Sequence, residues 1–237
     1  MEWLKFTVFR FDPETDREPC YSTYEVPVGE GTTLLEALLW IVDNADGSLS
    51  FRYACREAIC GACGMFVNGR HRLACKTQVK DLRAEEVVVH PLPHLPIIKD
   101  LVVDMSGFWE KYRAVRPYLI AEGLGEREFY QSHRDRQAID EMLNCILCAC
   151  CYSSCPMVWT NPEYLGPAAL LKAYRFARDT RDRGGVERLK LVAGEDGVWR
   201  CHTVFNCAEA CPKDINITWS IQALKRKLAR AAVGLRP

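Results

Sequence analysis

The chain has 237 residues, 49% of them hydrophobic, enough to bury a core as one large domain or two small ones and too many for a disordered polymer. Its 31 Lys and Arg are balanced by 31 Asp and Glu, which removes the basic footprint of a nucleic-acid binder. No run of 18 apolar residues could span a bilayer, and the opening MEWLKFTVFRF has neither the basic-then-apolar plan of a secretory signal nor the Arg- and Ser-rich character of a transit peptide.

In chain order, residues 4–11 (LKFTVFRF) alternate loosely and are rich in β-branched and aromatic side chains, which predicts a strand; residues 21–28 predict its partner. Thr33 and Glu36 have capping-box spacing, and the helix after them (LLEALLWIVDN) is expected to bury Leu35, Leu38, Leu39 and Val42 as plain core. Residues 64–67 and 71–74 flank Asn68-Gly69, a two-residue hairpin signal, and residues 86–90 (EVVVH) predict a last strand. This order makes a small α+β domain with a mixed sheet. Three prolines within residues 91–96 form a stiff connector, beyond which the strand pattern is expected to stop. Residues 135–144, 167–179, 186–192 and 217–231 predict helices, with Pro167 at a first helical position.

Thirteen cysteines need a reason. With no export signal to imply an oxidising compartment, clustered thiols point to metal rather than to disulfides. Cys55, Cys60, Cys63 and Cys75 stand in the spacing C-x4-C-x2-C-x11-C, the plant-type [2Fe–2S] arrangement, with Gly61 and Gly64 permitting a tight loop; a zinc site would favour paired C-x2-C knuckles. Cys145, Cys148, Cys151 and Cys155-Pro156 complete C-x2-C-x2-C-x3-C-P. Cys201, Val204, Cys207 and Cys211-Pro212 repeat it with valine at the second place. In two-cluster bacterial ferredoxins the fourth cysteine serves the other cluster. Crossing the ligands assigns Cys145, Cys148, Cys151 and Cys211 to a [4Fe–4S] centre and leaves Cys155, Cys201 and Cys207 with three thiolates. Val204 can neither ligate nor orient a water, so a [3Fe–4S] centre is expected there rather than the labile iron of a hydratase. Cys150 and Cys20 read as small apolar residues outside the ligand sets, and His71, His90, His94 and His133 as surface or locally paired histidines. No acid, base or nucleophile constellation stands out, so no catalytic residue is assigned.

SFRYACREAICGACGMFVNG (residues 50–69), PIIKDLVVDMSGFWEKYRAVRPYL (96–119), NCILCACCYSSCP (144–156), NPEYLGPAALLKAYRFARDTRD (161–182) and WRCHTVFNCAEACPK (199–213) together resemble the iron–sulfur subunit of succinate dehydrogenase or fumarate reductase, respiratory complex II, over nearly the whole chain. The resemblance implies an α+β protein: an N-terminal β-grasp plant-type ferredoxin domain over residues 1–105 and a C-terminal all-α bacterial-ferredoxin-like domain over residues 106–237. It implies an electron-transfer subunit of a succinate:quinone oxidoreductase, passing electrons one at a time from the FAD of a flavoprotein subunit through [2Fe–2S], [4Fe–4S] and [3Fe–4S] clusters to a membrane quinone. Its partners would be that flavoprotein and one or more hydrophobic anchor subunits, with or without haem, and not nucleic acid; its place would be peripheral, on the cytoplasmic face of a prokaryotic membrane. The same relay run in reverse, as a quinol:fumarate reductase, is the alternative; an iron–sulfur hydratase and a zinc-stapled interaction module are weaker ones. By the same resemblance Pro156, Trp159, His202 and Val204 lie at the quinone end, where Trp159 and His202 could each donate a hydrogen bond or serve only as an interface aromatic and a locally satisfied histidine. RCHTVFNC (200–207) leans towards succinate-oxidising members. Thr160 replaces a second tryptophan found in many of them, which gives more weight to a quinone such as menaquinone.

Overall fold

Strand β1 (Glu2–Arg10) pairs antiparallel with β2 (Cys20–Val28), from Glu2 opposite Val28 to Arg10 opposite Cys20. The alternation has its expected consequence: Phe6 and Val8 are fully buried while Lys5 between the strand's inward positions is exposed. The computed structural model describes residues 2–121, 123 and 127–234. Helix α1 (Leu34–Asn44) starts at the capping box: Thr33 Oγ1 accepts the Glu36 N–H at 3.2 Å, and the Glu36 carboxylate accepts the Thr33 N–H at 2.8 Å. Its buried face is Leu34, Leu35, Ala37, Leu38 and Ile41, rotated from the expected one; Leu39 and Val42 form the half-buried rim. The cause is long-range, because the Leu34 N–H bonds Thr77 O at 2.8 Å and the Leu35 N–H bonds Ala74 O at 3.1 Å, which turns this face inward.

Strands β3 (Gly64–Val67) and β4 (Arg70–Leu73) are joined by Asn68 and Gly69 at φ 45° and 77°, the turn that matches strand twist. β5 (Glu86–His90) runs parallel to β1 and antiparallel to β3, giving the order β2-β1-β5-β3-β4. A mixed sheet packed against one helix is a β-grasp architecture. Strand structure does not end at residue 96, as expected, because β6 (Ile97–Lys99) and β7 (Val102–Val103) follow. Asp100 turns the chain between them at φ 47°, and its buried carboxylate accepts from Arg10 Nε at 3.0 Å, Phe11 N at 3.1 Å and Ser50 N at 2.9 Å.

The helical part holds α2 (Ser106–Ala114), α3 (His133–Leu143), α4 (Cys150–Ser153), α5 (Pro156–Thr160), α6 (Gly166–Arg178), α7 (Gly185–Val192), α8 (Asn206–Glu209) and α9 (Ile217–Ala232). The four longer helices expected from the sequence are α3, α6, α7 and α9; α2 escaped it because Phe108 is its one buried residue and leaves no apolar period. Two units emerge, Met1–Met105 with Ile146–Ser153, and Ser106–Cys145 with Ser154–Pro237. In the second, Leu170, Leu171 and Tyr174 of α6 and Ile221 and Leu224 of α9 are buried. Arg188 is fully buried there, paired with Asp182 and donating to Tyr118 O at 2.6 Å and Arg116 O at 3.1 Å. No described helix is long and apolar enough to cross a membrane.

Candidate functional site

Three cysteine loops share one backbone device. In the first, Arg56, Ala58 and Gly61 take φ of 59°, 56° and 74°. These turns aim successive N–H groups inward, the concavity that holds anions in many iron–sulfur sites. Glu57, Ile59 and Cys60 donate to Cys55 Sγ at 3.4, 3.3 and 3.3 Å, and Ala58 donates to Cys75 Sγ at 3.3 Å. The Glu57, Cys60 and Ile59 N–H groups hold the Cys55 thiol down at about 6. Cys63, 3.4 Å from Cys75 sulfur to sulfur, is pushed up to about 12, by burial first and then by the neighbouring sulfurs of Cys75 and Cys60. A thiolate at Cys63 therefore calls for the positive charge of bound iron, and the donor set fits a cluster. Among the described residues no three His, Cys, Asp or Glu converge tightly enough for a single metal ion; ligands of a polynuclear centre stand further apart, with irons and sulfides between them.

The segment Ile146–Ser153 packs on this loop. A Cβ at Gly61 would stand 2.7 Å from Ile146 O and 3.0 Å from Cys148 Cα, and one at Gly64 would stand 3.1 Å from Cys148 O. Ser153 Oγ donates to Pro93 O at 2.7 Å and accepts from His71 Nε2 at 3.1 Å. Burial, with His94 adding, lowers His71 to about 4, so it sits there neutral and locally paired.

The second loop has Leu147 and Ala149 at φ 56° and 62°, and the third has Thr203 and Phe205 at 60° and 66°. One offset of 56 residues relates these pairs and relates Cys145 to Cys201, Cys148 to Val204, Cys151 to Cys207 and Cys155 to Cys211. The motif is repeated in backbone as well as in spelling. Cys148 is held below its ordinary pKa first by a hydrogen bond from the Cys150 side chain, then by the Cys150 N–H. Lys172 Nζ donates to Cys145 O at 3.4 Å.

Cys155, Cys201 and Cys207 line one pocket in the second unit, together with Val204, Pro156, His202, Phe205 and Thr218. Burial pushes Cys207 up to about 11 against a hydrogen bond with Thr218 Oγ1 at 3.3 Å, and the Cys155 and Cys201 sulfurs add to the rise. Burial raises Cys155 as well, with Cys201 adding. A cationic partner would favour the ionised form of Cys155 and Cys207. Val204 reaches the same pocket and is 49% exposed beside Phe205 at 52%. Pro156 and His202 join it, whereas Trp159, 42% exposed on α5, is not among its lining residues. Thr160 spends its hydroxyl on its own helix, donating to Pro156 O at 3.1 Å. Sequence reading missed Phe205, Tyr164 and Thr218 of this pocket; Thr218 lies on α9 and no spacing rule ties it to Cys207.

A family model described as a 2Fe-2S iron-sulfur cluster binding domain matches residues 5–110, and one described as a 4Fe-4S dicluster domain matches residues 141–215. Among solved structures, a chain of the Mycobacterium smegmatis Sdh1 complex in the apo form superposes with a TM-score of 0.88 at 27% identity, covering 98% of this chain and 97% of that one. A hypothetical protein from Helicobacter pylori shares the fold, with a TM-score of 0.57 at 22% identity, over 95% of this chain and 39% of that one. Sheet module, helical module and cysteine loops define a two-module iron–sulfur protein whose work is electron transfer. The chain belongs to the family of iron–sulfur subunits of succinate dehydrogenase and fumarate reductase, and so forms part of an oxidoreductase complex.

Proposed function

We propose that this chain is the electron-transfer subunit of a succinate:quinone oxidoreductase, with residues 1–105 as its [2Fe–2S] domain and residues 106–237 as the domain of the [4Fe–4S] and [3Fe–4S] centres. The observation that carries the reading is the last pocket, where Cys155, Cys201 and Cys207 meet and Val204 occupies the place of a fourth ligand. The assigned ligands are Cys55, Cys60, Cys63 and Cys75; Cys145, Cys148, Cys151 and Cys211; and Cys155, Cys201 and Cys207. When bound, the clusters supply one-electron carriage between a flavin that exchanges two electrons and a quinone reduced in two steps. The protein's share is to hold them. Backbone N–H groups of residues 57–60 stabilise the sulfurs of the first loop, and burial of Cys63, Cys151 and Cys207 excludes water.

A flavoprotein carrying FAD would deliver the electrons, and a hydrophobic anchor would hold the chain against the cytoplasmic face of the membrane. Exposed Val204, Phe205 and Trp159 suit an apolar neighbour at that end. Pro156, His202 and Val204 share the pocket and form the protein's side of a quinone site; Trp159, exposed on α5, is proposed for the same end of the chain. The likeness to an Sdh1 complex favours succinate oxidation over fumarate reduction. The test is EPR of the intact complex. Added succinate is expected to reduce the [2Fe–2S] and [3Fe–4S] centres in the wild type and to fail in a complex lacking the flavoprotein. Absence of a [2Fe–2S] signal under dithionite would overturn the reading.

A further inference from the structure

We infer that Thr218, outside every ligand set, is a positioning residue that raises the reduction potential of the three-iron centre by donating its hydroxyl to the Cys207 sulfur, an inference that rests on the proposed assignment of Cys207 as a ligand. Thr218 Oγ1 stands 3.3 Å from Cys207 Sγ, and the two residues are buried, at 2% and 8% exposure. They line the pocket where Cys155 and Cys201 also meet. A buried hydroxyl needs a partner. A thiolate bound to iron has no proton to give, so in the loaded protein Thr218 is the donor. Away from water such a bond is electrostatically stronger than at the surface.

The helix that carries Thr218 is itself tied to the cysteine loop. Thr218, Gln222 and Lys225 stand at i, i+4 and i+7 on α9, which places them on one helix face. Gln222 Nε2 donates to Thr203 Oγ1 at 2.8 Å, and Lys225 Nζ donates to Cys201 O at 2.7 Å. Three side chains of one face thus engage loop 201–207, and the two longer ones seat the helix where the Thr218 hydroxyl meets the sulfur. The first cysteine loop is supplied differently. Cys55 takes its hydrogen bonds from backbone N–H groups, which no exchange of side chain removes. At Cys207 a side chain is the donor, so one substitution can take it away. Hydrogen bonds to cluster sulfurs are among the levers of potential, and a donor stabilises the more negative, reduced state.

The experiment is EPR-monitored potentiometry of the intact complex, following the near-isotropic signal of the oxidised three-iron centre. Thr218→Val removes the hydroxyl and keeps the branched shape. It is expected to retain the signal and to shift the midpoint negative by up to about tenfold in the one-electron equilibrium, or ~59 mV. Thr218→Ser keeps a donor and is expected to stay near the wild-type midpoint. An unmoved or positive midpoint in Thr218→Val overturns the inference. An equal negative shift in Thr218→Ser also overturns it, because packing and not the hydroxyl would then be the cause. Should Thr218→Val lose the centre, Thr218→Ala takes its place in the same measurement. Loss from Thr218→Ala as well overturns the inference, since the hydroxyl would then be needed to hold the cluster and not to set its potential. Failure of the ligand assignment looks different, since the wild-type complex would then show no three-iron signal.

Discussion

Loops 145–155 and 201–211 carry one motif twice, with positive φ at the same two places in each and the same residue only at the first, seventh and eleventh positions; among the differences are Cys148 against Val204 and Cys150 against Asn206. The backbone is common because the N–H concavity is needed wherever thiolates crowd together. Under the proposed assignment, the exchange of Cys148 for Val204 changes the number of ligands that each loop offers. Surroundings differ as well: Cys207 shares a hydrogen bond with Thr218 Oγ1 on α9, while the segment that carries Cys148 packs on Gly61 and Gly64. On the ligand assignment proposed above, the iron count would be set by a single side chain on a shared frame.

Val204→Cys would abolish the main difference between the loops and has the largest expected effect. It supplies the missing thiolate, so oxidised complex should lose the near-isotropic [3Fe–4S] EPR signal and gain a four-iron signal on reduction. If the unmutated complex never shows the three-iron signal, the assignment of Cys155, Cys201 and Cys207 fails. Gly61→Ala tests whether the second loop needs its close seat on the first. Its φ of 74° alone costs a side chain roughly 1–2 kcal/mol, and the new Cβ meets Ile146 O at 2.7 Å. A lower melting temperature and reduced iron content are expected; wild-type values for both would refute the packing argument.

The smallest effect concerns the pin between His71 and Ser153. His71 is lowered by burial to about 4 from 6.5, so the folded state favours the neutral ring. Its contribution to stability is whole above pH 6.5 and is lost as pH falls from about 6.5 to about 4. His71→Asn should flatten that part of the stability profile. Denaturant unfolding of both proteins across the window checks it, and parallel slopes would refute it.

Most of the local structure was legible in the sequence. The Thr33–Glu36 capping box, the Asn68-Gly69 hairpin and helices α3, α6, α7 and α9 are short-range events with their causes a few residues apart. The face of α1 was not, because Thr77 and Ala74, some forty residues on, decide how it is turned. β6 and β7 were missed for a similar reason: Asp100 draws its partners from Arg10, Phe11 and Ser50. Pro156, His202 and Val204 could be named at the last pocket, while Thr218 and Tyr164 could not.

By itself the sequence determined the cysteine spacing, the repeat and the valine that interrupts it, because ligand sets and turns are written in residues close along the chain. Only the tertiary structure decided that Gly61 lies under Ile146, that His71 meets Ser153 across 82 positions, and that Thr218 reaches Cys207. Contacts of that kind leave no period in the sequence, since packing and desolvation act between neighbours in space whatever their separation along the chain.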